Sequence, residues 1–125
     1  MCGISGLFNA DGPLPPGARA IVEAMNGAIA HRGPDGDGFF EHEQAVLGHR
    51  RLAIIDIARG HQPMANEDES CWIVFNGEIY NHHDLRPILE AKGHRFRTSC
   101  DTEVILHGYE EFGSAIVDRL EGMFA

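Results

Sequence analysis

The sequence predicts an α+β fold built on a mostly antiparallel sheet. Its apolar stretches are many and short, and clusters of Gly, Pro, Asn and Asp bound them, the pattern of hairpin-connected strands. No βαβαβ rhythm runs through the chain. It also lacks a Walker A sequence and a GxGxxG loop, which argues against a parallel nucleotide-binding sheet.

Residues 3–8 (GISGLF) read as a buried strand, ended by the turn cluster Asn9-Ala10-Asp11-Gly12-Pro13. Pro15-Pro16 lead into a helix over about residues 17–30, with Ile21, Val22, Met25 and Ile29 as its apolar face. Residues 31–38 (HRGPDGDG) are too broken by Gly and Pro to be anything but a shaped loop. Strands follow at 39–42, 45–50 and 52–57, then a polar, turn-rich segment over 59–69, then a buried strand at 71–77 (CWIVFNG). Asp84 is placed to cap a helix over 85–92, with Pro87 in its first turn and Gly93 at its stop. HRFRT (94–98) reads as a short strand. A helix starts at Asp101 or Thr102 and runs to Phe112, its apolar face formed by Val104, Ile105, Gly108, Tyr109 and Phe112. Gly113 ends it, and a short helix covers about 115–120. The closing GMFA reads as the opening of another apolar strand, so the fold is expected to continue past Ala125.

With 125 residues the chain is one domain or a piece of one. It shows no repeat, linker, secretory signal or apolar run approaching the roughly 18 residues of a membrane span. The net charge of −9 disfavours nucleic acid and anionic membranes as partners. Cys2, Cys71 and Cys100 are an odd number at long spacings, which favours a reducing cytoplasm over a disulfide framework. The eight histidines are scattered: His82 and His83 are neighbours, His42 and His49 form no HExxH, and no metal site is expected from their spacing.

Four features carry chemistry. Removal of Met1 would leave Cys2 with a thiol and a free α-amine, a nucleophile and a base on one residue. An α-amine of pKa about 7.7–8.0 can take the proton of a thiol of pKa about 8.5. An incidental buried cysteine is the competing reading. Asn76-Gly77 ends an apolar run and offers a side-chain amide donor beside an unobstructed N–H, the parts of an oxyanion hole. The same pair is a common hairpin turn, and taken singly the turn is favoured. Arg51 sits at the mouth of LAII, suited to clamping a carboxylate, or else to a surface ion pair. Asp101 precedes an apolar helical stretch and reads singly as a cap, or as an acceptor for a substrate ammonium group. Together these parts are what a site needs to bind an α-amino acid and cleave its side-chain amide.

The stretches MCGISG, HRGPDGDG, GHRRLAIIDIARGHQPM, FNGEIYNHHDLR, GHRFRTSCDTEVILHGYEEFG and LEGMFA, in that order from end to end, carry a close resemblance. The chain resembles the class II glutamine amidotransferase domain of glutamine-dependent asparagine synthetases, an N-terminal-nucleophile hydrolase. The resemblance implies a four-layer αββα sandwich with antiparallel sheets, covered by residues 1–125 on its N-terminal side. It implies Cys2 as nucleophile with its own α-amine as base, and Asn76 and the Gly77 N–H as oxyanion hole. Arg51 would bind the glutamine α-carboxylate, while Asp101, Glu78 and the backbone of Leu52, Ile54 and Ile55 hold the amino end. Arg32 is a supporting candidate, and Gly33, Gly36 and Gly38 are structural. A chain retaining Met1 would be inactive.

The resemblance further implies a C-terminal synthetase domain beyond this chain, which would bind ATP and magnesium and make asparagine from aspartate with the ammonia. No cofactor or metal is assigned to these residues themselves. Glutamine is the implied substrate, the cytoplasm the location, and a homodimer a further implication. Two alternatives stand beside this reading. The same glutaminase could serve a peptide, antibiotic or polysaccharide precursor, or the domain could bind glutamine or a partner without catalysis, a state whose signature would be loss of Cys2, Asn76 or Arg51.

Overall fold

A computed structural model of the chain describes residues 2–54, 56 and 58–125. Met1, Ile55 and Ile57 lie outside the described residues. The α+β expectation holds in its coarse form: helices combine with strand ladders that are antiparallel among the described residues, beside one isolated parallel bridge between Pro34 and Arg51. The chain divides into two compact units, residues 1–53, 61–63 and 74–76 in the first, 54–60, 64–73 and 77–125 in the second.

In the first unit β1 (Gly3–Phe8), β2 (Gly36–His42) and β3 (Ala45–Arg51) form a sheet of order β1-β3-β2. The pairing of Gly3 with Arg50 and Gly36 with Arg51 brings the start of β1, the end of β3 and the start of β2 to one edge. Helix α1 (Ala18–Ala28) packs on this sheet through Ala18 and Val22 against Val46, with Leu7, Leu14 and Phe39 around them. A side chain of this size contributes about 1.5–3 kcal/mol when fully buried. Gly48 lets the helix close down, since a Cβ there would stand 2.9 Å from Val22 Cγ1. The predicted stripe holds only in part: Val22 is fully buried and Ile29 half-buried, but Ile21 and Met25 are exposed and Asn26 is buried. Its side-chain Nδ2 donates to the His49 carbonyl at 3.2 Å, which turns this face inward, and its backbone carbonyl accepts from Arg50 Nε at 3.0 Å.

The second unit holds two small ladders, β4 (Met64–Ala65) with β5 (Trp72–Ile73), and β6 (Gly77–Ile79) with β7 (Gly122–Phe124). Helices α2 (His82–Ala91) and α3 (Asp101–Phe112) are followed by a 3-10 segment, Gly113–Arg119. Leu85, Leu89 and Val104 form one core cluster, Met64, Cys100 and Leu106 another. Because α3 contributes to both, its buried residues wrap further round it than the predicted face, while Tyr109 is exposed.

Several predicted elements are replaced for one reason, capture of backbone groups by side chains. HRFRT is not a strand: the Glu103 carboxylate accepts the N–H groups of Arg97 and Thr98, and Glu67 accepts that of Arg95. The expected strand at 71–77 breaks after Ile73, because Phe75 gives its N–H to Gln62 Oε1 and its carbonyl faces His49 Nε2. The expected strand at 52–57 is absent among the described residues, with the Ala53 N–H bound to Asp35. Helix α2 starts earlier than predicted, with Asn81 rather than Asp84 as N-cap, so Pro87 falls inside it. Among the described residues no helix is long and apolar enough to cross a membrane.

Candidate active site around Cys2

The edge of the first unit positions Cys2. One residue before β1 pairs with β3, the thiol meets the chain just past β3: the Leu52 N–H donates to Cys2 Sγ at 3.3 Å, and Sγ lies 3.6 Å from the Leu52 carbonyl oxygen. Arg32, exposed at its surface, donates from Nε to the Cys2 carbonyl at 3.1 Å. The loop that carries Arg32 is fastened to the same stretch. Asp35 gives its N–H to the Arg51 carbonyl at 3.0 Å and takes the Ala53 N–H on Oδ2 at 2.8 Å. Gly33 is the close approach that permits this, for a Cβ there would fall on the Arg50 carbonyl and the Arg51 nitrogen.

Arg51 ends β3 and is buried, with 8% exposure, so the surface ion-pair reading does not describe it. On the same face of β3, His49 is buried and its Nε2 faces the Phe75 carbonyl at 3.2 Å. A carbonyl only accepts, so Nε2 carries the proton and Nδ1 is the bare nitrogen. Nδ1 is buried and meets no partner among the described residues. Burial pushes the His49 pKa down, the hydrogen bond to Phe75 opposes this, and the Arg51 charge adds to the lowering.

Phe75 is also gripped from its other side, by Gln62 Oε1 accepting its N–H at 2.6 Å. Both backbone groups of the residue before Asn76 are therefore fixed by side chains. Of the two amide atoms of Asn76 only the acceptor, Oδ1, is both buried and unpaired among the described residues. His49 and Gln62 were not identified from sequence as site residues. The alternation of His49 with Arg51 along β3 was the available signal for the first, and HQPM gave none for the role of Gln62.

In the second unit Gly77 opens β6 opposite Phe124, and Asn76-Gly77 is not a hairpin turn. Gly77 has a packing reason of its own, since a Cβ would collide with the Met123 carbonyl oxygen of β7. Glu78 is exposed, as is Ile54. Asp101 is the first residue of α3 rather than its cap, which is Cys100. It is buried, with Oδ2 accepting the Ile79 N–H at 2.8 Å and Oδ1 the Thr102 N–H at 2.9 Å, so it ties β6 to the start of α3. Two bonds leave acceptor capacity on a carboxylate, which has about four lone-pair positions. Of the candidate residues, the structure thus groups Cys2, Arg32, Arg51 and Leu52 within the first unit, with Asn76 also there, and Gly77, Asp101 and Glu78 within the second. Ile55 lies outside the described residues.

A family model described as a glutamine amidotransferase domain matches residues 1–125. Among curated proteins, the glutamine-hydrolyzing asparagine synthetase 1 of Bacillus subtilis (strain 168) is 50% identical over 127 residues, covering 100% of this chain and 20% of that protein. The glutamine-hydrolyzing asparagine synthetase 2 of Oryza sativa subsp. japonica is 47% identical over 126 residues, again across 100% of this chain and 21% of the relative. The corresponding protein of Asparagus officinalis is 46% identical over 125 residues, with 100% of this chain and 21% of the relative covered. The chain spans about a fifth of the length of the curated relatives it matches.

Proposed function

The chain belongs to the glutamine amidotransferase domain family, and we propose that it hydrolyses the side-chain amide of glutamine through a Cys2 thioester. The observation that supports this most directly is the N–H of Leu52 on Cys2 Sγ, directly after the buried guanidinium-bearing residue Arg51. A backbone donor there strengthens as negative charge develops on sulfur. With Met1 removed, the α-amine of Cys2 takes the thiol proton and the thiolate attacks the amide carbon. Asn76 Nδ2 and the Gly77 N–H take up the charge on the carbonyl oxygen. The C–N bond then breaks, and ammonia leaves with the proton held by the amine. Water attacks the thioester, so glutamine and water yield glutamate and ammonia.

In this reading Arg51 holds the α-carboxylate and Asp101, Glu78 and the backbone of Leu52, Ile54 and Ile55 hold the ammonium group. Arg32 keeps the Cys2 backbone in place. The fold is the four-layer αββα sandwich of N-terminal-nucleophile hydrolases. The names of the relatives, glutamine-hydrolyzing asparagine synthetases, support a synthetase domain following this one that receives the ammonia. In the proposed whole protein that domain forms asparagine from aspartate with ATP and magnesium, in the cytoplasm and as a homodimer. The presence of Cys2, Asn76 and Arg51 together speaks against a domain that has lost catalysis. Cys2→Ala tests the assignment: glutamine binding persists and glutamate release disappears. Hydrolysis persisting in the purified variant would remove Cys2 from the mechanism.

A further inference from the structure

Four side chains in the second unit, Glu67, His94, His107 and Glu110, converge on one point away from the groups used in hydrolysis, and we propose that they form a structural zinc site. One ligand atom from each lies within 4.8 Å of all the others. His107 Nδ1 stands 2.9 Å from Glu110 Oε2 and 3.5 Å from Glu67 Oε2, and His94 Nδ1 stands 3.7 Å from Glu110 Oε2. Zinc bonds of about 2.0–2.2 Å in a tetrahedron put donor atoms roughly 3.3–3.6 Å apart, close to these separations. Two imidazoles and two carboxylates are a donor set zinc accepts.

The ligands are also oriented from behind. Glu67 uses Oε1 on the Arg95 N–H at 2.9 Å, and Glu110 uses Oε1 on Asn66 Nδ2 at 2.7 Å. In each carboxylate the other oxygen, Oε2, is the one turned to His107. On the far side of the His107 ring, Nε2 is buried without a hydrogen-bond partner among the described residues, with Glu103 Oε1 at 3.6 Å. A histidine that ligates through one nitrogen normally donates the other N–H to a carboxylate, and Glu103 is anchored for that role by the N–H groups of Arg97 and Thr98.

A cation belongs here, because two carboxylate oxygens face the nitrogen of a ring that is 1% exposed. A proton on Nδ1 satisfies Glu110 alone. It leaves Glu67 at 3.5 Å from that nitrogen and His94 Nδ1 at 3.7 Å from Glu110, with His94 Nε2 turned to Glu111 at 3.5 Å, whereas a divalent ion would engage one donor of all four. The ion would join the segment at 66–73 to the segment at 94–99 and helix α3, which lie more than 20 residues further along the chain. Histidine spacing along the chain, which argued against a metal site, carries no information about donors gathered this way.

The test is a titration of the full chain, stripped with a chelator, using Co²⁺ as the spectroscopic probe and Zn²⁺ as competitor. One equivalent of Co²⁺ is expected to give tetrahedral visible bands without thiolate charge-transfer absorption. Zn²⁺ should displace it and raise Tm. His94→Gln and Glu67→Gln, both at partly exposed positions, should each weaken binding at least about ten-fold. Absence of stoichiometric binding would leave a proton at the site and overturn the proposal. Thiolate bands, or affinity unchanged in both variants, would place the ion elsewhere and overturn it equally.

Discussion

The Leu52 N–H and Cys2 Sγ are 3.3 Å apart, so the thiol is held by the residue that directly follows Arg51 in sequence. The backbone donor to the thiol and the arginine proposed to bind the substrate carboxylate thereby occupy consecutive positions at one strand end. The loop carrying Arg32 and Asp35 is bonded to the same backbone. Arg32→Gln removes the donor to the Cys2 carbonyl without disturbing the core. It is expected to lower kcat about ten-fold, since small misplacements of reacting groups cost up to about 10²-fold. Steady-state kinetics together with Tm check this, and Tm should stay near that of the parent.

Gln62→Ala should act through Asn76. The buried Phe75 N–H loses its acceptor, at about 1–3 kcal/mol, and Asn76 is no longer fixed in position. The expected result is a fall in kcat with KM little changed, smaller than the ~10²–10³ expected for Asn76→Ala. Gln62→Glu retains an acceptor and should recover part of the loss. Equal losses of kcat in both variants would reduce the residue to a general structural role.

Arg51→Ala should abolish discrimination for the α-carboxylate. Truncating one partner of a buried charged pair costs about 2–5 kcal/mol, so kcat/KM for glutamine should fall at least about 30-fold. The same variant should turn over 4-aminobutanamide, which lacks the α-carboxylate, as well as the parent does. Parallel losses on both amides would contradict the assignment.

His49 gives stability a pH dependence of defined sign. Burial, its largest cause, lowers the folded pKa below the unfolded value of about 6.5. The folded chain then binds fewer protons, and the contribution is fully present above about pH 6.5 and lost as pH falls through the lowered folded value. Tm measured across that range should decline on the acid side. His49→Gln keeps a donor for the Phe75 carbonyl and removes the titration, so its decline should be shallower.

Apolar pattern made much of the fold legible. The bounds of β1 were read directly, and α3 with its stop at Gly113 followed from periodicity and glycine. What was not legible has one physical origin. Gln62, Asp35 and Glu67 bind backbone groups 13, 18 and 28 residues away, Glu103 reaches back to the segment before its own helix, and a propensity or period contains no trace of such bonds. The buried Asn26 and the exposed Ile21 and Met25 on α1 are the same lesson, because a polar bond to the sheet outweighed side-chain hydrophobicity. At the candidate site Cys2, Arg51 and Asn76 stood out as chemistry, whereas His49 and Gln62, which hold the residue before Asn76, became visible only through their contacts with Phe75.

The central claim is a processed Cys2 that attacks glutamine. Intact-mass spectrometry with and without diazo-oxo-norleucine, an electrophilic glutamine analogue, tests it most directly. The account predicts a mass lacking Met1 and a single adduct that maps to Cys2. Loss of Met1 with no adduct, or an adduct on Cys71 or Cys100, would contradict it.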